Sequence, residues 1–127
     1  MGLTIYNAFS GSYGTFGMML RYLANLSGYA NDVYSDQRVM PYLGDHEKLI
    51  GKWDHIPFDP LLILFTHSDC DGYLHWSYCK DLGNRILQVI EKDPSKYDAE
   101  NFIYKKAKLF ADGLISAHEE KLTLHFT

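Results

Sequence analysis

A chain of 127 residues with 46% hydrophobic and 15% aromatic content is sized for one domain, read as 1–127, that closes a sizeable core. Its formal charge of −4 offers no electrostatic footprint for a phosphate backbone, and the only basic cluster is Lys105, Lys106 and Lys108, so nucleic acid is not an expected partner. No apolar run approaches the roughly 20 residues that span a bilayer, and two cysteines suit free thiols, so neither a membrane nor a disulfide framework is expected and the cytoplasm is the expected location.

In chain order, Leu3 to Phe9 ("LTIYNAF") is rich in β-branched and aromatic residues and reads as a short strand. The glycines of "SGSYGTFG" bend the chain. Phe16, Met19, Leu20, Leu23 and Leu26 then recur at helical spacing until "SGYAN" stops the helix. From Asp32 to Asp59 the pattern is irregular, with a brief helix readable from Asp45. "DPLLILF" places Asp59 at an N-cap and Pro60 at the first helical position, which favours a short helix over a buried strand. Cys79, Leu82, Ile86, Val89 and Ile90 mark one helix face that ends near "KDPSK". Asp98 opens a long helix with Phe102, Lys106, Leu109, Phe110, Gly113, Leu114 and Ala117 inward, an arrangement in which Lys106 must snorkel. "KLTLHF" alternates and reads as a last strand that pairs with Leu3 to Phe9. The expected fold is α+β: mainly helical, with a small sheet formed by the N- and C-terminal strands.

The segment "FTHSDCDGYLHWSYC" concentrates the chemistry. A calcium loop of the EF-hand kind draws oxygen from its first, third, fifth, seventh, ninth and twelfth residues, with glycine sixth. Counted from His67, Asp69 is third, Asp71 fifth, Gly72 sixth and the Tyr73 carbonyl seventh, so His67, Asp69, Asp71 and Tyr73 are the candidate ligands of one divalent cation. The ends of the pattern depart from it. His67 replaces an aspartate, and Tyr78 stands where the bidentate carboxylate belongs, which removes about three oxygen contacts. The favoured reading is an EF-hand-like turn between two helices, closed by its own main chain, with no cofactor.

Other chemistry is weaker. His67, Cys70, His75 and Cys79 form a two-His, two-Cys set, but its two pairs lie closer together than zinc knuckles do. A Cys70 nucleophile would sit beside aspartates that raise its pKa. "GSYGTFG" lacks both the dinucleotide fingerprint and the terminal Gly-Lys-Ser/Thr of a P-loop. No complete catalytic constellation is present, so the chain does not read as an enzyme.

Ten tyrosines and two tryptophans leave Tyr13, Tyr29, Tyr34, Tyr42, Tyr73, Trp76 and Tyr78 in or beside loops. Such amphipathic aromatics either fold over a small core or meet a protein partner, and Tyr13, Trp76 and Tyr78 are the candidate binding residues.

"GSYGTF", Trp53, "DPLL", "HSDCDG" with Cys79 behind it, "FADGLISA" and "LHF" together resemble a group of small bacterial and phage-associated proteins of no established function, marked by an HSDCDG segment. The resemblance implies a shared fold and not an activity. Glutamates often stand in that group where this chain has Ser77 and Tyr78.

Overall fold

The computed structural model describes residues 2–6, 8–30, 32, 35–38, 59–66 and 73–126. Within them the chain is mainly helical with two small antiparallel sheets, the α+β architecture expected.

The N-terminal segment forms a hairpin where one strand is expected. Strand β1 (Gly2–Ile5) pairs antiparallel with β2 (Phe9–Ser12), in register Gly2↔Ser12 through Ile5↔Phe9, and the Ala8 N–H donates to the Ile5 carbonyl at 2.9 Å. Leu3 and Ile5 face inward, while Gly2 and Thr4 face out. Pairing with the adjacent segment closes a far shorter loop than pairing with the C-terminus, which explains why the local partner takes most of β1. The termini still meet, through a single antiparallel bridge from Ile5 to Phe126.

Helix α1 (Tyr13–Ser27) follows β2 without a linker. Ser12 caps it by accepting the Thr15 N–H at 3.0 Å, and Gly28 ends it at φ 85, a left-handed conformation that glycine adopts without a Cβ clash. Gly14 and Gly17 therefore lie inside a helix rather than in a loop that could cradle phosphate.

Helix α2 (Leu61–Phe65) is buried at every position, which is why its sequence shows no polar face. Asp59 starts it as expected, its Oδ1 accepting the Leu61 N–H at 3.0 Å, one residue earlier than a regular N-cap. Strand β3 (Tyr73–Leu74) leads through His75 into α3 (Trp76–Ile90), which buries Cys79, Leu82, Gly83, Ile86, Val89 and Ile90.

Helix α4 (Phe102–Glu120) begins later than the expected Asp98. Asn101 is its cap, accepting the Tyr104 N–H at 3.1 Å, whereas Asp98 accepts the Glu100 N–H in a preceding turn. Its inward stripe is also rotated from the expected one. Phe110, Gly113, Leu114 and Ala117 are buried as expected, but Ala107 and Ala111 complete the face and Phe102 and Leu109 point outward. Small residues win the inside because α3 and α4 approach closely: a Cβ on Gly83 would stand 2.9 Å from the Ala111 carbonyl oxygen. Lys106 does snorkel, its ammonium reaching the Ser10 carbonyl at 2.6 Å. Strand β4 (Leu124–His125) then pairs with β3, as Tyr73↔His125 and Leu74↔Leu124.

Phe16 is central to the core, with the rings of Phe9, Phe110 and Phe126 edge-on at 5.1, 6.2 and 6.1 Å. Each such pair adds about 0.5–1.5 kcal/mol beyond the area it buries. This cluster joins the hairpin, α1, the middle of α4 and the C-terminal segment.

Candidate functional site

At one end of the α3–α4 hairpin, four elements bring aromatic and imidazole rings together. Strand β3 contributes Tyr73, α3 contributes Trp76 and Tyr78 with His75 before them, α4 contributes His118, and β4 contributes His125. Trp76 is the hub. Its ring lies 5.3 Å from that of His75 and 5.5 Å from that of His118, with the Lys121 ammonium 5.9 Å from its centroid. His75 also meets Tyr78 at 6.2 Å, and Tyr73 meets His125 at the same separation.

Local chemistry explains how these rings are held. His75 is extended and caps α3, its Nδ1 accepting the Ser77 N–H at 3.2 Å. His118 Nδ1 lies 3.3 Å from the Trp76 carbonyl and ties the C-terminal end of α4 to the start of α3. Lys121 ends α4 at φ 54, a left-handed turn that swings its side chain over Trp76. Trp76, Tyr78 and His118 are half-buried, whereas Tyr73, His75, Lys121 and His125 are exposed.

Of the residues singled out in the sequence, the structure brings Trp76, Tyr78 and Tyr73 to this end. Tyr13 does not join them as part of the same element: it is the first residue of α1 and packs half-buried against the core. His67, Asp69, Cys70, Asp71, Trp53, Tyr34, Tyr42 and the brief helix from Asp45 lie outside the described residues. Tyr29 follows the end of α1, outside any helix or strand, and folds over the core edge-on to Phe65 at 5.2 Å. Cys79 is fully buried on α3, and burial pushes its thiol up to about 12, which suits neither a thiolate ligand nor a nucleophile. Among the described residues no cluster of three or more His, Cys, Asp or Glu side chains could hold a metal.

Three aspartates carry the strongest polar geometry, and each accepts four hydrogen bonds. Asp59 receives Arg85 through both Nε (3.0 Å) and Nη2 (3.1 Å), with the Tyr29 hydroxyl at 3.0 Å and the Leu61 N–H. Burial alone would raise its carboxyl. The Arg85 guanidinium, helped by the Leu61 N–H and the Tyr29 hydroxyl, outweighs burial and holds the carboxyl below the usual range.

Asp36 receives the Arg38 side chain twice, together with the Arg38 and Ala30 N–H groups. The Arg38 bonds lead the effect that lowers its carboxyl far below normal. The same guanidinium lies 4.0 Å over the Tyr29 ring.

Asp93 receives the Tyr22 hydroxyl at 2.6 Å, the Asn101 amide at 2.9 Å and both the N–H and hydroxyl of Ser95 at 2.8 Å. Tyr22 leads the effect that holds its carboxyl at about 2 against the penalty of burial. Burial, then the Asp93 bond, raises the Tyr22 phenol in turn. An open cleft of about 500 Å³ lies beside this hub, lined by Met18, Arg21, Asn25 and Ile103 among others. Four bonds fill the acceptor positions of a carboxylate, so these three groups act as fasteners and not as proton carriers.

Sequence reasoning missed His118, Lys121 and His125 because the first two reach Trp76 only through the return of α4, and His125 reaches Tyr73 only through the β3–β4 pairing. No family model matches the chain, and no similar protein was found among curated proteins or solved structures. Among the described residues, no helix is long and apolar enough to cross a membrane.

Proposed function

We propose that the protein is a non-enzymatic binding module of the cytoplasm, and that the ring cluster around Trp76 is its contact surface for a protein partner. The carrying observation is the convergence of six aromatic and imidazole rings from four elements on one end of the fold, with Tyr73, His75 and His125 open to solvent. Rings with an apolar body and a polar edge lose little side-chain entropy on contact and remain hydrated when free, the balance that favours Trp and Tyr where proteins meet. The net charge of −4 points to a protein partner in preference to nucleic acid. The likeness to the HSDCDG-bearing proteins supports a common fold for that group and leaves the partner open.

Affinity capture with the intact chain and with a Tyr73→Ser, Trp76→Ala variant tests this. A partner held by the first should be lost by the second while the circular dichroism spectrum is retained. Equal capture by both overturns the reading.

A second reading places a divalent cation on His67, Asp69, Asp71 and the Tyr73 carbonyl. It is supported by the helix on either side of that segment, α2 ending at Phe65 and α3 starting at Trp76, with Tyr73 extended between them. The departures at His67 and Tyr78 weigh against it. Under the first reading, calcium, magnesium, manganese or zinc added to chelator-treated protein leaves the melting temperature unchanged. A saturable rise selects the second.

A further inference from the structure

The outer face of α4 combines two features that the core does not use. Phe102 and Leu109, two turns apart on one side of the helix, are 49% and 62% exposed, and Leu122 just past its end is 38% exposed. The charges on this face run against the helix's own field. Lys105 and Lys108 occupy its first two turns with no acid beside them, Lys106 being turned to the Ser10 carbonyl, and Glu119 and Glu120 follow His118 in its last turn, ahead of the Lys121 cap. A helix favours anions near its N-terminus and cations near its C-terminus, so Lys105, Lys108, Glu119 and Glu120 on the outer face oppose the field that His118 and Lys121 complement.

Local pairing relieves little of that. Lys108 reaches Asp112 at 3.6 Å, and Lys105 meets the Ala99 carbonyl. Among the described residues no cation pairs with Glu119 or Glu120, and no carboxylate pairs with Lys105.

From this charge layout we infer that the outer face of α4 is a self-association surface, whose occupant is the same helix of a second copy running antiparallel. An interface with two-fold symmetry must be complementary to itself, and a helix basic at one end and acidic at the other meets that condition only when its copy is reversed. Lys105 of one copy then lies opposite Glu119 and Glu120 of the other. The symmetry axis passes near Asp112, whose carboxylate Lys108 reaches at 3.6 Å. Leu109 sits about one turn from the axis, and Phe102 lies toward the end of the second copy's helix, where Leu122 follows the cap. Each cation that opposes the dipole in one chain is offset by an anion that opposes it in the other. The acidic end of this surface adjoins the ring cluster at His118 and Lys121, but the pairing does not rest on the proposal made for that cluster.

The test is charge exchange, read as mass by light scattering or sedimentation at low salt. The unaltered chain should show twice the monomer mass and dissociate as salt rises. Lys105→Glu, which leaves the Lys108–Asp112 pair in place, should be monomeric, as should Glu119→Lys with Glu120→Lys, and an equimolar mixture of the two variants should regain the doubled mass. Each variant aligns its altered charges with the helix dipole, so its melting temperature should hold or rise once the lower mass is allowed for, which separates lost pairing from lost fold. A monomeric unaltered chain, doubled mass retained by either variant alone, or a mixture that stays monomeric overturns the inference.

Discussion

Gly83→Ala lowers the free energy of unfolding by about 2 kcal/mol, although alanine in place of glycine inside a helix ordinarily gains about 1 kcal/mol. The sign reverses because of what lies across the α3–α4 contact. A Cβ on Gly83 would stand 2.8 Å from Cγ1 of Ile115 and 2.9 Å from the carbonyl oxygen of Ala111. The isoleucine can yield by changing rotamer; the carbonyl belongs to the backbone of α4 and cannot. Relief therefore requires the two helices to separate, which loosens the Ala107 and Ala111 face along its length. Urea unfolding followed by circular dichroism measures the change. Adding Ile115→Ala should recover part of the loss in a non-additive way, because it removes one of the two obstacles. A Gly83→Ala protein as stable as the parent would mean that α3 and α4 do not approach this closely.

The same contact explains what the sequence could and could not reveal. Helix α3 was legible because its inward residues are large: Leu82, Ile86, Val89 and Ile90 outline the face without help from structure. On α4 the inward side is partly Ala107, Ala111 and Gly113, so Phe102 and Leu109 looked like core when they are surface. Hydrophobicity patterns register bulk, and a face chosen for close approach carries little. Similarly, "LTIYNAF" holds no glycine or proline to mark a turn, so the β1–β2 hairpin reads as one strand.

The ring cluster divides along the same line between local and distant information. Tyr73, Trp76 and Tyr78 stand out within one short segment, but nothing in the sequence near them announces His118, which sits 42 residues beyond Trp76. Only the length of α3, the turn at Asp93 and the return of α4 place that imidazole against the indole. Asp59 was readable as a helix start from the Asp-Pro pair, yet its bonds to Tyr29 and Arg85 depend on how α1 and α3 pack. Asp93 looked like a helix terminator and is a hub with four donors.

Asp59→Ala should cost about 2–4 kcal/mol, measured by urea unfolding near neutral pH. The carboxylate ties Tyr29 after α1 and Arg85 on α3 to the start of α2. Its removal strands the hydroxyl of a tyrosine that is only 8% exposed and leaves a mostly buried guanidinium without its counter-ion. Gln88 still accepts from Arg85 Nη1 at 2.8 Å, and the pair retains some solvent contact, so the loss falls below that of a fully buried pair. A double-mutant cycle with Arg85→Ala should give a positive coupling between the two side chains.

Acid should act on the same fasteners. Asp36, Asp59 and Asp93 all titrate in the folded chain below the unfolded value of about 3.9. The folded state thus binds fewer protons than the unfolded state as pH falls through that range, and stability present above about pH 5 declines toward the folded value of Asp93, about 2. Urea midpoints should therefore drop between pH 6 and pH 3 by the action of these groups, and Asp93→Asn, which cannot titrate, should show a shallower drop from a lower starting stability. If both proteins lost stability in parallel across that interval, the four bonds at Asp93 would not be holding its carboxyl down, and the turn between α3 and α4 would owe its form to something else.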